Sequence, residues 1–210
     1  MRRTFVKFCG CTNALEVEAA AAAGADAVGL IFAPSPRRID ERAAADIAQA
    51  LPAGVRPVGV FANPTYDDIH RIQALFGDLC VQLSGDEAPA FVSSLGADAI
   101  KAIHVDAGDT AQDVARRAGV YTTALLLLDA KSPDAFGGSG RIFAWRIAME
   151  CARRRPVVIA GGLTPRNVAA CVRTVRPFGV DVRSGIETAG RKDRRKMRDF
   201  VQAVRNADAD

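Results

Sequence analysis

The sequence predicts an α/β fold, a single (β/α)8 TIM barrel over residues 1–210. Three observations point to it. Eight short apolar runs, each bounded by Gly, Pro or Asp, alternate with eight stretches carrying helical periodicity or helix punctuation. Most runs are apolar along their whole length, as parallel strands covered on both faces are. A faint internal echo, AGADAVGLIF at 23–32 against LGADAIKAIHV at 95–105, sets Gly24 and Gly96 three units of 24 residues apart. A doubly wound sheet is the alternative, but it rarely uses eight strict βα units.

The expected strands are 4–9, 27–32, 56–62, 79–84, 98–105, 124–129, 157–162 and 179–184. Helical periodicity marks 14–23, 40–51, 65–76, 109–118, 145–154, 164–176 and 191–207, with a weaker pattern at 87–95. Asn13 with Glu16, Thr65 with Asp68, and Asp109 with Gln112 have the spacing of an N-cap and its partner. Thr164-Pro165 sets a cap residue before a proline suited to a first helical position. No Ser/Gly linker or composition shift marks a second domain.

Composition removes several function classes. Hydrophobic residues make up 49% and charged residues 25% of the chain, close enough to globular averages to exclude disorder. No uninterrupted apolar run of about 18 residues exists, so no membrane helix is expected. The opening MRRTFVKFCG lacks the apolar core of a secretory signal, so a cytoplasmic location is expected. Cys9, Cys11, Cys80, Cys151 and Cys171 show no C-x-x-C spacing, and His70 and His104 stand apart, so no zinc site is expected. The net charge of +4 is mild. Much of it falls in RKDRRKMR at 191–198, which reads as a solvated helix face rather than a nucleic-acid patch. A small anionic substrate fits this balance better than a nucleic acid or a membrane.

In such a barrel the chemistry belongs at the carboxyl ends of the strands. The first strand ends K-F-C-G, putting Cys9 at the mouth as a base or as a buried structural thiol. Cys11, two residues on, reads as structural. The sixth ends L-L-L-L-D. A carboxylate after four leucines is costly unless solvated, paired or functional, so Asp129 is a candidate general acid, the alternative being a loop cap. The Gly137, Gly138 and Gly140 loop that follows can bring backbone amides close to a ligand. Gly161-Gly162 and Ser184-Gly185 end the seventh and eighth strands, where barrels recurrently bind phosphate through amides and a helix N-terminus. Arg37 and Arg38, in a Pro-stiffened loop after the second strand, are either a carboxylate clamp or a surface pair. His104 receives no role.

In order along nearly the whole chain stand K-F-C-G-C-T, G-A-D-A-V-G-L-I-F, S-P-R, G-V-F-A-N, V-Q-L, L-L-D, F-G-G-S-G, G-G-L-T-P-R-N-V and V-D-V-R-S-G-I-E. The ordered set resembles the phosphoribosylanthranilate isomerase family of tryptophan biosynthesis. The resemblance implies a cofactor-free and metal-free TIM barrel, monomeric or homodimeric, that acts on a small phosphoribosyl substrate by an Amadori rearrangement. It further implies Cys9 as general base, Asp129 as general acid and Arg37 as the anthranilate-carboxylate ligand. Gly137, Gly138, Gly140, Gly161, Gly162, Ser184 and Gly185 would hold the phosphate. The chain departs from the family pattern at Ser84 (often His), Arg183 (usually Ser), Ala144 (usually Asp), Arg38 (commonly aromatic) and Cys11 (commonly aliphatic). These departures leave room for a diverged paralogue that binds or isomerises a different phosphosugar.

Overall fold

The computed structural model describes residues 3–96, 99–106, 108–122, 125–130 and 138–210, with backbone alone over 138–144. Eight strands close into a parallel barrel: β1 (Phe5–Cys9), β2 (Ala27–Ile31), β3 (Arg56–Phe61), β4 (Cys80–Leu83), β5 (Ile100–Val105), β6 (Leu125–Ala130), β7 (Val157–Ala160) and β8 (Gly179–Val182). Pairing of β1 with β8, Phe5 to Gly179 through Phe8 to Val182, shuts the sheet. Helices α1 (Ala14–Ala23), α2 (Glu41–Ala50), α3 (Tyr66–Phe76), α4 (Pro89–Ser94), α5 (Ala111–Gly119), α6 (Gly138–Ala152), α7 (Val168–Val175) and α8 (Arg194–Ala209) alternate with the strands. The predicted fold class is the observed one.

The strand pleat sorts the apolar residues into two layers. Val6, Phe8, Val28, Leu30, Leu126, Leu128, Val157 and Ile159 point outward and join the helix-facing core. Ala27, Val58, Cys80, Ile100, Leu127 and Val158 fill the barrel floor. Cys9, Ile31 and Val60 form a smaller cluster toward the carboxyl ends. The runs read as continuously apolar because both faces are covered.

Helix starts follow the predicted caps with informative exceptions. Asn13 Oδ1 accepts from the Glu16 amide, and Thr65 with Asp68 makes a full capping box. The cap of α5 is Thr110 with Asp113, one residue beyond the Asp109–Gln112 pair expected. Asp109 instead pairs with Arg117. Helix α6 begins at Gly138, seven residues before the predicted start, so Gly138 and Gly140 stand in its first turn and not in a loop. Gly137 lies outside the described residues. Helix α7 begins at Val168, and Thr164-Pro165 instead shapes the turn before it, where the Thr164 amide donates to Asn167 Oδ1 at 2.7 Å.

The largest correction falls after β8. Ser184–Ile186 forms a 3₁₀ turn, and β9 (Glu187–Thr188) pairs antiparallel with β10 (Arg191–Lys192). The expected helix from 191 starts only at Arg194, capped by Asp193. The basic run is therefore not one solvated face, because the Lys192 side chain is only 2% exposed. Three acceptors fix its ammonium inside the fold, which local periodicity does not reveal.

Candidate active site

A cavity of about 560 Å³ opens at the carboxyl ends of the strands. Cys9, Gln82, Ser84, His104, Asp129, Gly161, Gly162, Asp181, Arg183 and Ser184 are among its lining residues. The pleat explains the selection. Lys7 is register partner of Asp181, and His104 of Asp129, so both pairs sit side by side across adjacent strands.

Cys9 is nearly buried at 7% exposure. Burial pushes its thiol above the ordinary range, while the Lys7 charge pulls it down and Asp181 pushes it up. Lys7 Nζ lies 3.0 Å from Asp181 Oδ1, with both side chains buried. Although desolvation opposes its charge, Asp181 and Cys9 hold the ammonium protonated. The sulfur and the ammonium converge over Gly29, where an added Cβ would meet Cys9 Sγ at 2.9 Å and Lys7 Nζ at 3.0 Å. Glycine at 29 leaves that space to the two functional atoms. Cys11 is fully buried, and its Sγ lies 3.8 Å from the Phe8 carbonyl, as its structural reading expects.

Asp129, the last residue but one of β6, lines the same cavity. Burial first, then the Asp181 charge, raises its carboxyl above the usual range, against the lowering pull of His104, Arg183 and Lys7. A raised carboxyl keeps its proton to higher pH, as a general acid must.

The two glycine-rich ends meet. Gly161 and Gly162 both have positive φ, +87° and +62°, and a Cβ on Gly161 would strike the Ala130 backbone. A Cβ on Gly185 would lie 1.9 Å from the Leu163 carbonyl oxygen. Absence of side chains there lets the loops after β7 and β8 press together.

Arg37 is engaged by a neighbour. Its Nε and Nη2 donate to the two oxygens of Glu187 at 3.3 and 2.7 Å. Burial acts to raise the Glu187 carboxyl, but hydrogen bonds from Arg37 and Lys192 hold it below the usual range. Arg37 does not line the cavity, whereas Arg183 does. The stems of both arginines flank Gly10, where an added Cβ would lie 3.4 Å from each. Arg38 is exposed and belongs to a cleft beside α2 and α3.

Sequence reading missed Lys7, Asp181, Glu187 and Lys192. A signal existed for the first two: a lone Lys within F-V-K-F-C and a lone Asp within V-D-V, each inside an otherwise apolar strand. Nothing local pointed to Lys192.

The closed parallel barrel, with a thiol, a raised carboxyl and two glycine-rich loops around one cavity, defines a (β/α)8 protein built to act on a small anionic molecule. The family profile of N-(5′-phosphoribosyl)anthranilate (PRA) isomerase matches residues 6–203. An N-(5′-phosphoribosyl)anthranilate isomerase from Leptothrix cholodnii is 43% identical over 209 residues, covering 99% of this chain and 93% of that one. The crystal structure of phosphoribosyl anthranilate isomerase from Thermotoga maritima superposes with a TM-score of 0.84 at 35% identity, covering 97% of this chain and 99% of that one. A second solved isomerase, in complex with reduced 1-(o-carboxyphenylamino)-1-deoxyribulose 5-phosphate, gives 0.83 at 32% identity, with the same coverage. The chain belongs to the N-(5′-phosphoribosyl)anthranilate isomerase family.

Proposed function

We propose that this single-domain protein isomerises N-(5′-phosphoribosyl)anthranilate to 1-(2-carboxyphenylamino)-1-deoxyribulose 5-phosphate, a step of tryptophan biosynthesis. The observation that carries the reading is one cavity lined by both Cys9 and Asp129, with Gly161, Gly162 and Ser184 on its rim. Asp129 donates its proton to the ribose ring oxygen. The bond from that oxygen to C1′ breaks, and the anthranilate nitrogen lone pair forms the C1′=N⁺ Schiff base. Cys9, as thiolate, then removes the C2′ proton. The freed electron pair makes C1′=C2′ and neutralises the nitrogen, giving the enolamine. Protonation of C1′ and loss of the C2′ hydroxyl proton yield the ketose.

Gly161, Gly162, Ser184 and Gly185 receive the phosphate in this reading. Gly138 and Gly140 contribute from the first turn of α6, and Gly137 joins them. Arg37, next to Ser35 and Pro36, which line the cavity, receives the anthranilate carboxylate in this reading, through the guanidinium nitrogen that Glu187 leaves unused. Arg183 adds positive charge beside the phosphate loops. A cytoplasmic location and a monomeric or homodimeric state complete the proposal. No helix of the described residues is long and apolar enough to cross a membrane.

Turnover of N-(5′-phosphoribosyl)anthranilate by the purified chain, together with rescue of a tryptophan auxotroph lacking this step, is the expected result. Tight binding of the product in calorimetry without any turnover would replace the isomerase with a non-catalytic phosphosugar-binding paralogue. Turnover of only another aminoaldose phosphate would keep the chemistry and change the substrate.

A further inference from the structure

Arg183 stands where the related family usually carries serine, and its surroundings give its side chain a direction. Its backbone leads into the 3₁₀ turn Ser184–Ile186, beside the glycine-rich loops. Its stem leans the other way, onto the end of β1. Arg183 Cγ lies 3.4 Å from the point where a Cβ on Gly10 would stand, and Arg37 Cβ and Cγ lie equally close to that point. The two arginines therefore converge at Gly10, one from the loop after β8 and one from the loop after β2. Ser35 and Pro36 carry the cavity wall to the foot of Arg37.

Charge sets the two arginines apart. Glu187 occupies two nitrogens of Arg37. Among the described residues the Arg183 guanidinium has no hydrogen bond or ion pair; only its carbonyl is engaged, by Lys192. Arg183 is also the one permanent cation among the described residues that line the cavity. The lining carboxyl groups are Asp129 and Asp181, and Asp181 is matched by Lys7. Around Gly10, the cations Arg37, Arg183 and Lys192 face the Glu187 carboxylate, with Glu16 acting on Arg37 more weakly. That corner keeps a positive charge to spare. The reach of Arg183 into the cavity shows at the reacting groups. The Cys9 thiol and the Asp129 carboxyl, both raised chiefly by burial, are each pulled down by its charge. An uncompensated guanidinium on a cavity wall offers a planar fork of donors to a carboxylate.

We propose that Arg183 is a specificity-determining residue: with Arg37 it brackets the anthranilate carboxylate, Arg183 from inside the cavity and Arg37 from its rim. The proposal rests on the substrate reading given above and names the anion that this additional arginine serves. The phosphate of that reading lies between the loops after β7 and β8, whereas the Arg183 stem leans toward β1 and β2.

Two ligands separate the anions. One is the product, 1-(2-carboxyphenylamino)-1-deoxyribulose 5-phosphate. The other is 1-phenylamino-1-deoxyribulose 5-phosphate, which keeps the phosphate and lacks the carboxylate. Calorimetry of both with wild type and with Arg183→Ser needs no turnover. Arg183→Ser should weaken product binding by about tenfold, as loss of a charge-assisted pair does, and leave the phenylamino compound unchanged. Arg183→Lys keeps the charge without the fork and should recover only part of the loss. Equal weakening of both compounds would assign Arg183 to the phosphate or to the general field of the mouth, and no weakening of either would leave it without a contact; each result overturns the proposal. Unchanged product affinity alongside wild-type turnover would remove this role and leave the isomerase standing. A selective loss of product binding in a chain without turnover would keep the role of Arg183 and strike the isomerase.

Discussion

Lys192 Nζ donates to the Cys9 carbonyl oxygen at 2.6 Å, tying the β9–β10 hairpin to the end of β1. The same ammonium donates to the Arg183 carbonyl and to Glu187 Oε1, each at 3.1 Å. Three hydrogens thus meet three acceptors. Lys192→Met removes all three bonds and frees the backbone that presents the Cys9 sulfur. Because a misplacement of about 1 Å can cost on the order of 10²-fold, kcat should fall to that extent. Steady-state kinetics and thermal unfolding check it; unchanged kcat would mean that the hairpin does not position Cys9.

The proposed acid and base are tested by near-isosteric changes. Cys9→Ser and Asp129→Asn should each lower kcat by about 10²- to 10⁴-fold while leaving circular dichroism unchanged. Near-normal turnover in both would remove the assignment. The active form needs Cys9 ionised and Asp129 protonated. Activity therefore rises as increasing pH ionises the raised Cys9 thiol, and falls as Asp129 gives up its proton.

Of the cations that favour an ionised Cys9, Lys7 acts most strongly, and its removal should make the thiol harder to ionise. Lys7→Met by itself strands the Asp181 carboxylate in the interior, at a cost of about 3–5 kcal/mol. The double substitution Lys7→Met with Asp181→Asn avoids that charge. Alkylation of Cys9 in the double variant at neutral pH, read by mass spectrometry in a Cys11→Ser background, should then be slower than with Lys7 present. An equal rate would show that the ammonium does not tune the sulfur.

Gly185→Ala forces a methyl into the Leu163 carbonyl. The loops after β7 and β8 must separate, with overpacking strain of about 1–3 kcal/mol. Weaker binding of inorganic phosphate in calorimetry and a raised substrate KM are expected, with kcat changed less. Wild-type phosphate affinity would show that the cradle does not depend on this contact.

Away from the mouth, Lys101 Nζ donates to Glu87 Oε2 and to the Gly85 carbonyl at 2.7 and 2.6 Å, with both side chains 2% exposed. Burial acts to raise the Glu87 carboxyl, but hydrogen bonds from Lys101 and the Asn63 amide hold it below its ordinary value. Its folded pKa is depressed, so its stabilisation is present above the unfolded value of about 4.3 and is lost as pH falls through the folded value. Lys101→Met should cost about 3–5 kcal/mol in urea unfolding at neutral pH. Glu87→Gln should be less stable than wild type at neutral pH, and the gap should narrow in acid. A gap independent of pH would rule out the ion pair as its cause.

Strand order, covered faces, most helix spans, and the placement of Cys9 and Asp129 at strand ends were legible in the chain, because each rests on local periodicity and punctuation. The start of α6 was not, since Gly138 and Gly140 are poor helix formers and only the surrounding fold makes them helical. The electrostatic frame of the site was not legible either. Lys7 and Asp181 are 174 residues apart, Arg37 and Glu187 are 150 apart, and Lys192 and Cys9 are 183 apart. Residues so distant meet only when β1 pairs with β8 and the sheet closes. Which acid and which thiol are present is written in the linear order of residues. Whether Arg37 is free or held by Glu187, and whether Lys192 faces water or the Cys9 carbonyl, is set by barrel closure, because charges in a low-dielectric interior must find partners wherever the fold brings them.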